Sequence, residues 1–287
     1  MTHKSMGMMK RKKIDTFRYH FLMVLVGFVM MYPFLWLLGS SLKPNEEIFT
    51  TVRNIIPRIW TINNYLQGWK GFAGFSFTTF FKNSLFVSVI ATIGTAVSAS
   101  LVAFGFARLR FPGRGIWFAT MLVTMMLPGQ VLMIPRFVLF NDMHMTGSFW
   151  PLTLPEFFGN AGEIFMVMQF IKGIPKDMDE AARIDGCSWY GILTRIHIPL
   201  IKPAVITVTV MAFMNTWQDF MGPLLYLNGP DQYTVAYALK MFNDSTGGVD
   251  YGATFAMSVL SLIPILVLFF CFQRQLVEGI HMEGLKG

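Results

Sequence analysis

The chain of 287 residues is 54% apolar by side-chain type and only 14% charged, with 29 Phe and 22 Met, whereas a soluble domain carries roughly 25% charged residues. That balance excludes a disordered chain, a coiled coil and a soluble enzyme, and it points to a polytopic membrane protein, because a soluble fold needs more polar surface. The formal charge of +7 does not indicate nucleic acid, since the basic residues are spread over many short segments between apolar runs, where such charge sets membrane orientation.

The start holds Lys4, Lys10, Arg11, Lys12, Lys13 and Arg18 ahead of an apolar run from about Tyr19 to Leu42. That run is too long for the core of a signal peptide, and no small-residue cleavage pattern follows it. It is read as an uncleaved first span. The segment from Lys43 to Lys82 is mixed and aromatic, with no signature of disorder.

About 20 apolar residues at about 1.5 Å each cross a hydrocarbon core. Further stretches of that kind run over 83–107, 115–139, 148–171, 203–227 and 253–272, which predicts six spans in all. The second carries Ala91, Thr95, Ala99 and Ala103 at four-residue spacing, a small-residue face that lets neighbouring backbones approach. Pro128 with Gly129, and then Pro135, interrupt the third. Two readings stand there: a packing kink, or an irregular segment lining a cavity. The fourth is the weakest, since Pro151, Pro155, Glu156, Gly159, Asn160 and Glu163 break its first half.

With the N-terminus inside, cytoplasmic segments collect 16 of the 23 Lys and Arg residues. Both termini are therefore expected in the cytoplasm. Cys187 and Cys271 are far apart and cannot form a disulfide framework.

The longest cytoplasmic segment, 172–202, carries the most information. Pro175 suits the first turn of a helix. Asp177, Asp179 and Glu180 sit near its positive end, Ala181 and Ala182 favour helix with little bulk, and Gly186 suits a left-handed stop. A second short helix, from about Ser188 to Ile196, leads to Pro199 and the fifth span. A narrow helix followed by a fixed turn suits docking into a groove on a partner. His197 reads as loop structure rather than a proton relay.

Glu180-Ala181-Ala182, then Gly186, then Ile196-x-Ile198-Pro199, resembles the EAA loop of ABC importer permeases. Ile198 stands where that pattern usually has Leu. The run from Ile184 to Trp189 and the stretch from Asn215 to Leu224 resemble the carbohydrate-uptake branch. Gln232-Tyr-Thr234 and the ending Gly284-Leu-Lys-Gly287 are similar to subunits related to the smaller permease of the maltose importer. The resemblance implies an all-α membrane protein with the type I importer permease fold, six transmembrane helices and both termini cytoplasmic. It divides the chain into a basic N-terminus, first span and outer loop (1–77), a permease core (78–275) with the coupling segment 172–202, and a cytoplasmic tail (276–287).

By the same resemblance, Glu180, Ala181, Ala182, Asp185, Gly186, Ile196 and Pro199 form the contact with an ATPase. No phosphate-binding G-x-x-x-x-G-K-[ST] run occurs, so the chain is expected to carry no cofactor, and ATP and Mg2+ belong to partner ATPase subunits. The family implies two such subunits, a second permease in a heterodimer, an extracytoplasmic sugar-binding protein and the cell membrane of a prokaryote. No metal spacing and no convincing acid–base pair is present.

Asn215, Trp217, Gln218 and Asp219 lie within or near the membrane, with Glu163 and Arg136 as further candidates. Polar groups at such depth face a cavity or a partner, and amides with aromatic faces suit sugars. A sugar or oligosaccharide is the expected substrate. A polyol phosphate such as glycerol-3-phosphate is the alternative within the class, and Arg136 is the one evident intramembrane cation for it. A stand-alone ion-coupled transporter would want paired titratable groups in repeated halves, and a membrane enzyme would want clustered His or acids at one face; neither pattern is seen.

Overall fold

The computed structural model describes residues 3–245 and 250–284, and side chains from residue 16 to 242 and from 250 to 276. The ending Leu285–Gly287, and the side chains of Lys4 to Lys13, lie outside the described residues. Helices account for the described elements: α1 (His3–Ser41), α2 (Asn45–Thr50), α3 (Asn63–Lys70), α4 (Phe77–Arg108), α5 (Arg114–Met125), α6 (Gly129–Asp142) and α7 (Trp150–Thr153). A 3-10 turn (Leu154–Phe158) leads to α8 (Ala161–Gly173), α9 (Asp177–Ile184) and α10 (Trp189–Ile192). A π turn (Leu193–His197) leads to α11 (Ile198–Leu200), α12 (Lys202–Trp217), α13 (Met221–Tyr226), α14 (Val235–Ser245) and α15 (Tyr251–Gly284).

Two compact units divide the chain. The first comprises residues 1–70 and 246–260. In it, the buried Lys43 donates Nζ hydrogen bonds to the carbonyls of Thr51 and Asn54, at 3.2 and 2.5 Å. Glu47 accepts from the backbone N–H groups of Arg58 and Ile59, at 2.8 and 3.1 Å. Asn64 Nδ2 donates to the carbonyls of Ser41 and Lys43. Backbone groups outside regular structure are thus satisfied by side chains, and the expected outer loop is ordered.

The second unit comprises residues 71–245 and 261–287. Its core lies where α4, α8 and α12 meet, and Ala99, Ala103, Val167, Ile171, Ala204 and Val208 are buried there. Ala91 and Thr95 are also buried, so the small-residue face of α4 is a packing face. At about 1.5 Å per residue the 32 residues of α4 reach about 48 Å, ample for a bilayer core.

Among the described residues, three helical stretches are long and apolar enough to cross a membrane: 16–41, 77–108 and 251–276. The other expected spans are broken. The third bends by 104° between α5 and α6, at Leu127 and Pro128, where the proline cannot continue the backbone ladder. The first half of the expected fourth span is not continuous α-helix. It is α7 and a 3-10 turn ending at Gly159, whose φ of +92° is a conformation glycine accepts readily. The expected fifth span stops at Trp217, and Asp219 Oδ1 accepts from the N–H of Gly222 to start α13. On its other side, α12 meets the limb 189–200 at a bend of 82°.

A helix–turn–helix on a buried ion pair

Segment 172–202 folds as its residues direct. Asp177, Asp179 and Glu180 occupy the first turn of α9, where acids are favoured. The N–H of Gly186 donates to the carbonyl of Arg183 at 3.1 Å, and that of Cys187 to the carbonyl of Ala182 at 2.9 Å. This is the double bond pattern of a Schellman stop, and the φ of +79° at Gly186 is what it demands. Arg183 Nη1 donates to the carbonyl of Cys187, and its guanidinium lies 5.2 Å from the centre of the Trp189 ring. Ser188 Oγ accepts from the N–H of Gly191 and caps the second limb. A π turn then precedes Pro199, whose missing N–H prevents an uninterrupted α ladder.

The coupling candidates divide between two sides. Glu180, Ala181, Asp185, Gly186 and Pro199 are exposed. Ala182 and Ile196 are half-buried and pack against the chain's own core. Only one alanine of the pair is therefore fully presented.

Beneath the exposed turn lies a group that sequence reasoning did not assemble. Asp179 is buried, with Oδ2 at 2.8 Å from Arg108 Nε and Oδ1 at 2.6 Å from His197 Nε2. Arg108 Nη2 also donates to the carbonyls of Ile171 and Ile174. Beside α9 opens a cavity of about 600 Å3, lined by Arg108, Arg110, Arg114, Lys176, Glu180 and Trp189 among others.

The path candidates are spread out. Asn215 and Gln218 are exposed at the end of α12, Asp219 is half-buried, and Arg136 is exposed on α6. Trp217 is buried, stacked on Phe213 at 5.6 Å, with Nε1 donating to the carbonyl of Ser261. Glu163 is buried in the first turn of α8, where Asn160 is the cap. Glu156, in the preceding 3-10 turn, accepts from the hydroxyl of Thr95 at 2.9 Å. Among the described residues no group of His, Cys, Asp and Glu is arranged to hold a metal.

Residues 96–281 match the family described as binding-protein-dependent transport system inner membrane component. The chain belongs to this family. It is a transport permease, not an enzyme. The chain is 32% identical over 92% of its length to the arabinooligosaccharides transport system permease protein AraQ of Bacillus subtilis (strain 168), covering 93% of that protein. It is 29% identical over 93% of its length to the galactooligosaccharides transport system permease protein GanQ of the same organism, covering 94% of it. Its fold resembles a chain in the crystal structure of a bacterial ABC transporter that imports the acidic polysaccharide alginate. There the TM-score is 0.80 at 20% identity, over 91% of this chain and 96% of that one. This permease therefore has the all-helical type I importer fold.

Proposed function

We propose that this permease forms half of the pathway by which a sugar, in particular a neutral oligosaccharide, enters a prokaryotic cell across its cytoplasmic membrane. The other half is a second, homologous permease. Two ATPase subunits bind ATP and Mg2+, and an extracytoplasmic binding protein delivers the solute. The named substrates of the relatives support an oligosaccharide. The chain crosses the membrane six times with both termini in the cytoplasm: the three long helices, the bent pair of α5 and α6, and the stretches 148–171 and 203–227 serve as the spans. The coupling segment 172–202 belongs to a core from 78 to 275, flanked by an N-terminal part (1–77) and a short tail (276–287).

The observation that carries the reading is the exposed apex of segment 172–202. Glu180, Ala181, Asp185 and Gly186 are open, while the opposite face is held by the rest of the chain. Glu180, Ala181, Ala182, Asp185, Gly186, Ile196 and Pro199 serve as the ATPase contact. ATP shifts the spans only through a difference in its affinity for the two arrangements, and a rigid element seated in the ATPase couples the two bodies. Along the path, Asn215 and Gln218 present amides to sugar hydroxyls. Trp217 supports that wall from behind, and Asp219, Glu163 and Arg136 complete the set.

The test is uptake by the full complex in proteoliposomes, with labelled arabinotriose and galactotriose and with glycerol-3-phosphate as competitor. ATP-dependent uptake of a neutral oligosaccharide, undiminished by glycerol-3-phosphate, is expected. Uptake of glycerol-3-phosphate with neither oligosaccharide transported would replace the sugar with a polyol phosphate.

A further inference from the structure

We propose that Asp179 is a positioning residue for coupling: its ion pair with Arg108 and its hydrogen bond with His197 make α9 and α4 move as one body. The proposal rests on the coupling reading of segment 172–202.

The attachment of α9 is unusual for a helix that must carry force. Of its eight residues, Asp179 alone is fully buried. Apolar burial is non-directional and gives this helix little hold. The carboxylate instead meets two partners on different elements, Arg108 as an ion pair and His197 through a hydrogen bond. Arg108 is the last residue of α4, and its guanidinium reaches on to the carbonyls of Ile171 at 2.9 Å and Ile174 at 2.5 Å, at the end of α8. His197 lies in the π turn, fully buried, with its ring 5.1 Å from that of Phe104 on α4. One carboxylate therefore joins α9 to α4, to the end of α8 and to the second limb of its own segment.

The hydrogen bond with His197 is directional, and the ion pair with Arg108 at 2.8 Å adds Coulombic attraction. A buried pair that loses one partner leaves an uncompensated charge, so the clamp resists both rotation and withdrawal of α9. Neighbouring residues on a helix point about 100° apart. Glu180 is thus free to face a partner while Asp179 faces inward, and a push on one is delivered through the other to a helix 32 residues long.

The experiment measures this directly and needs no substrate. Spin labels are placed at Leu101→Cys on α4 and Lys176→Cys at the start of α9, with Cys187→Ala and Cys271→Ala. The distance between the labels is read by pulsed electron resonance in the complete complex, without nucleotide and after trapping with ATP and vanadate. With Asp179 intact, the distance is expected to stay constant to within about 2 Å, the scale of small helix shifts. With Asp179→Asn, which keeps the shape and loses the charge, ATP is expected to move it by more than that.

A change in the intact complex would overturn the proposal. So would a constant distance in Asp179→Asn, which would leave the clamp a static scaffold. Should Asp179→Asn lose the ATPase on purification, His197→Gln takes its place, with the Arg108 pair left intact. A smaller shift in the same direction is then expected, and no shift overturns the proposal. Failure of the coupling reading looks different: the ATPase would stay bound to Gly186→Asp.

Discussion

The indole N–H of Trp217 donates to the carbonyl of Ser261 at 3.0 Å, tying the end of α12 to α15. Trp217 is buried and Asn215 and Gln218 are exposed, so neighbours in one sequence stretch have separate tasks. Trp217→Phe removes the donor and is expected to cost about 1 kcal/mol. Trp217→Ala also empties the site and is expected to cost about 3–5 kcal/mol. Thermal melting in detergent, read by fluorescence-detected gel filtration, checks both. Asn215→Ala and Gln218→Ala are expected to melt like the parent and to lower uptake.

Gly186 separates backbone from contact effects. Nothing lies within 4 Å of where a Cβ would stand, yet its φ is +79°. Gly186→Ala therefore carries only the left-handed penalty, about 1–2 kcal/mol. Gly186→Asn is expected to cost less, because Asn tolerates that conformation. The order of ATPase retention on purification is expected to be parent, then Asn, then Ala.

The backbone N–H of Arg58 holds the Glu47 carboxyl below its ordinary value of 4.5, with the N–H of Ile59, Lys43 and Thr51 adding to it against the opposing effect of desolvation. A group whose folded pKa is depressed contributes stability that is present above the unfolded value and is lost as pH falls through the folded one. Glu47→Gln is therefore expected to lower the melting temperature at pH 7. The gap between variant and parent should close as pH falls below about 4.5, the unfolded carboxylate range. A gap that persists at low pH would mean that the carboxylate's charge is not what stabilises the turn.

Much of the fold was legible in local pattern. Apolar runs located α1, α4 and the first part of α15. Spacing of Ala91, Thr95, Ala99 and Ala103 identified the packed face of α4, and Gly186 marked the helix stop. Hydropathy could not show the 104° bend at Pro128, because it records whether a segment is apolar and not its direction. It also joined α7, the 3-10 turn and α8 into one span, although Pro151, Pro155, Gly159 and Asn160 marked the weakness of its first half, because the apolar second half carried the stretch. The clamp was hidden for another reason. Arg108, Asp179 and His197 are each ordinary where they stand, as a loop cation, a helix-start acid and a loop histidine. Only the packing of α4 against the segment brings them together, and no periodicity encodes a contact between residues 71 positions apart, from Arg108 to Asp179. Within the candidate site, the exposed residues of the turn were the legible ones, and the inward face was not.

The most direct test is co-purification. The tagged chain is expressed with its chromosomal neighbours and isolated in mild detergent, as the parent and as Gly186→Asp. The parent is expected to bring down an ATPase and a second permease, and the variant to keep the permease and lose the ATPase. A parent that purifies alone and transports in vesicles without ATP would contradict it, and the exposed turn from Glu180 to Gly186 would then have no coupling role.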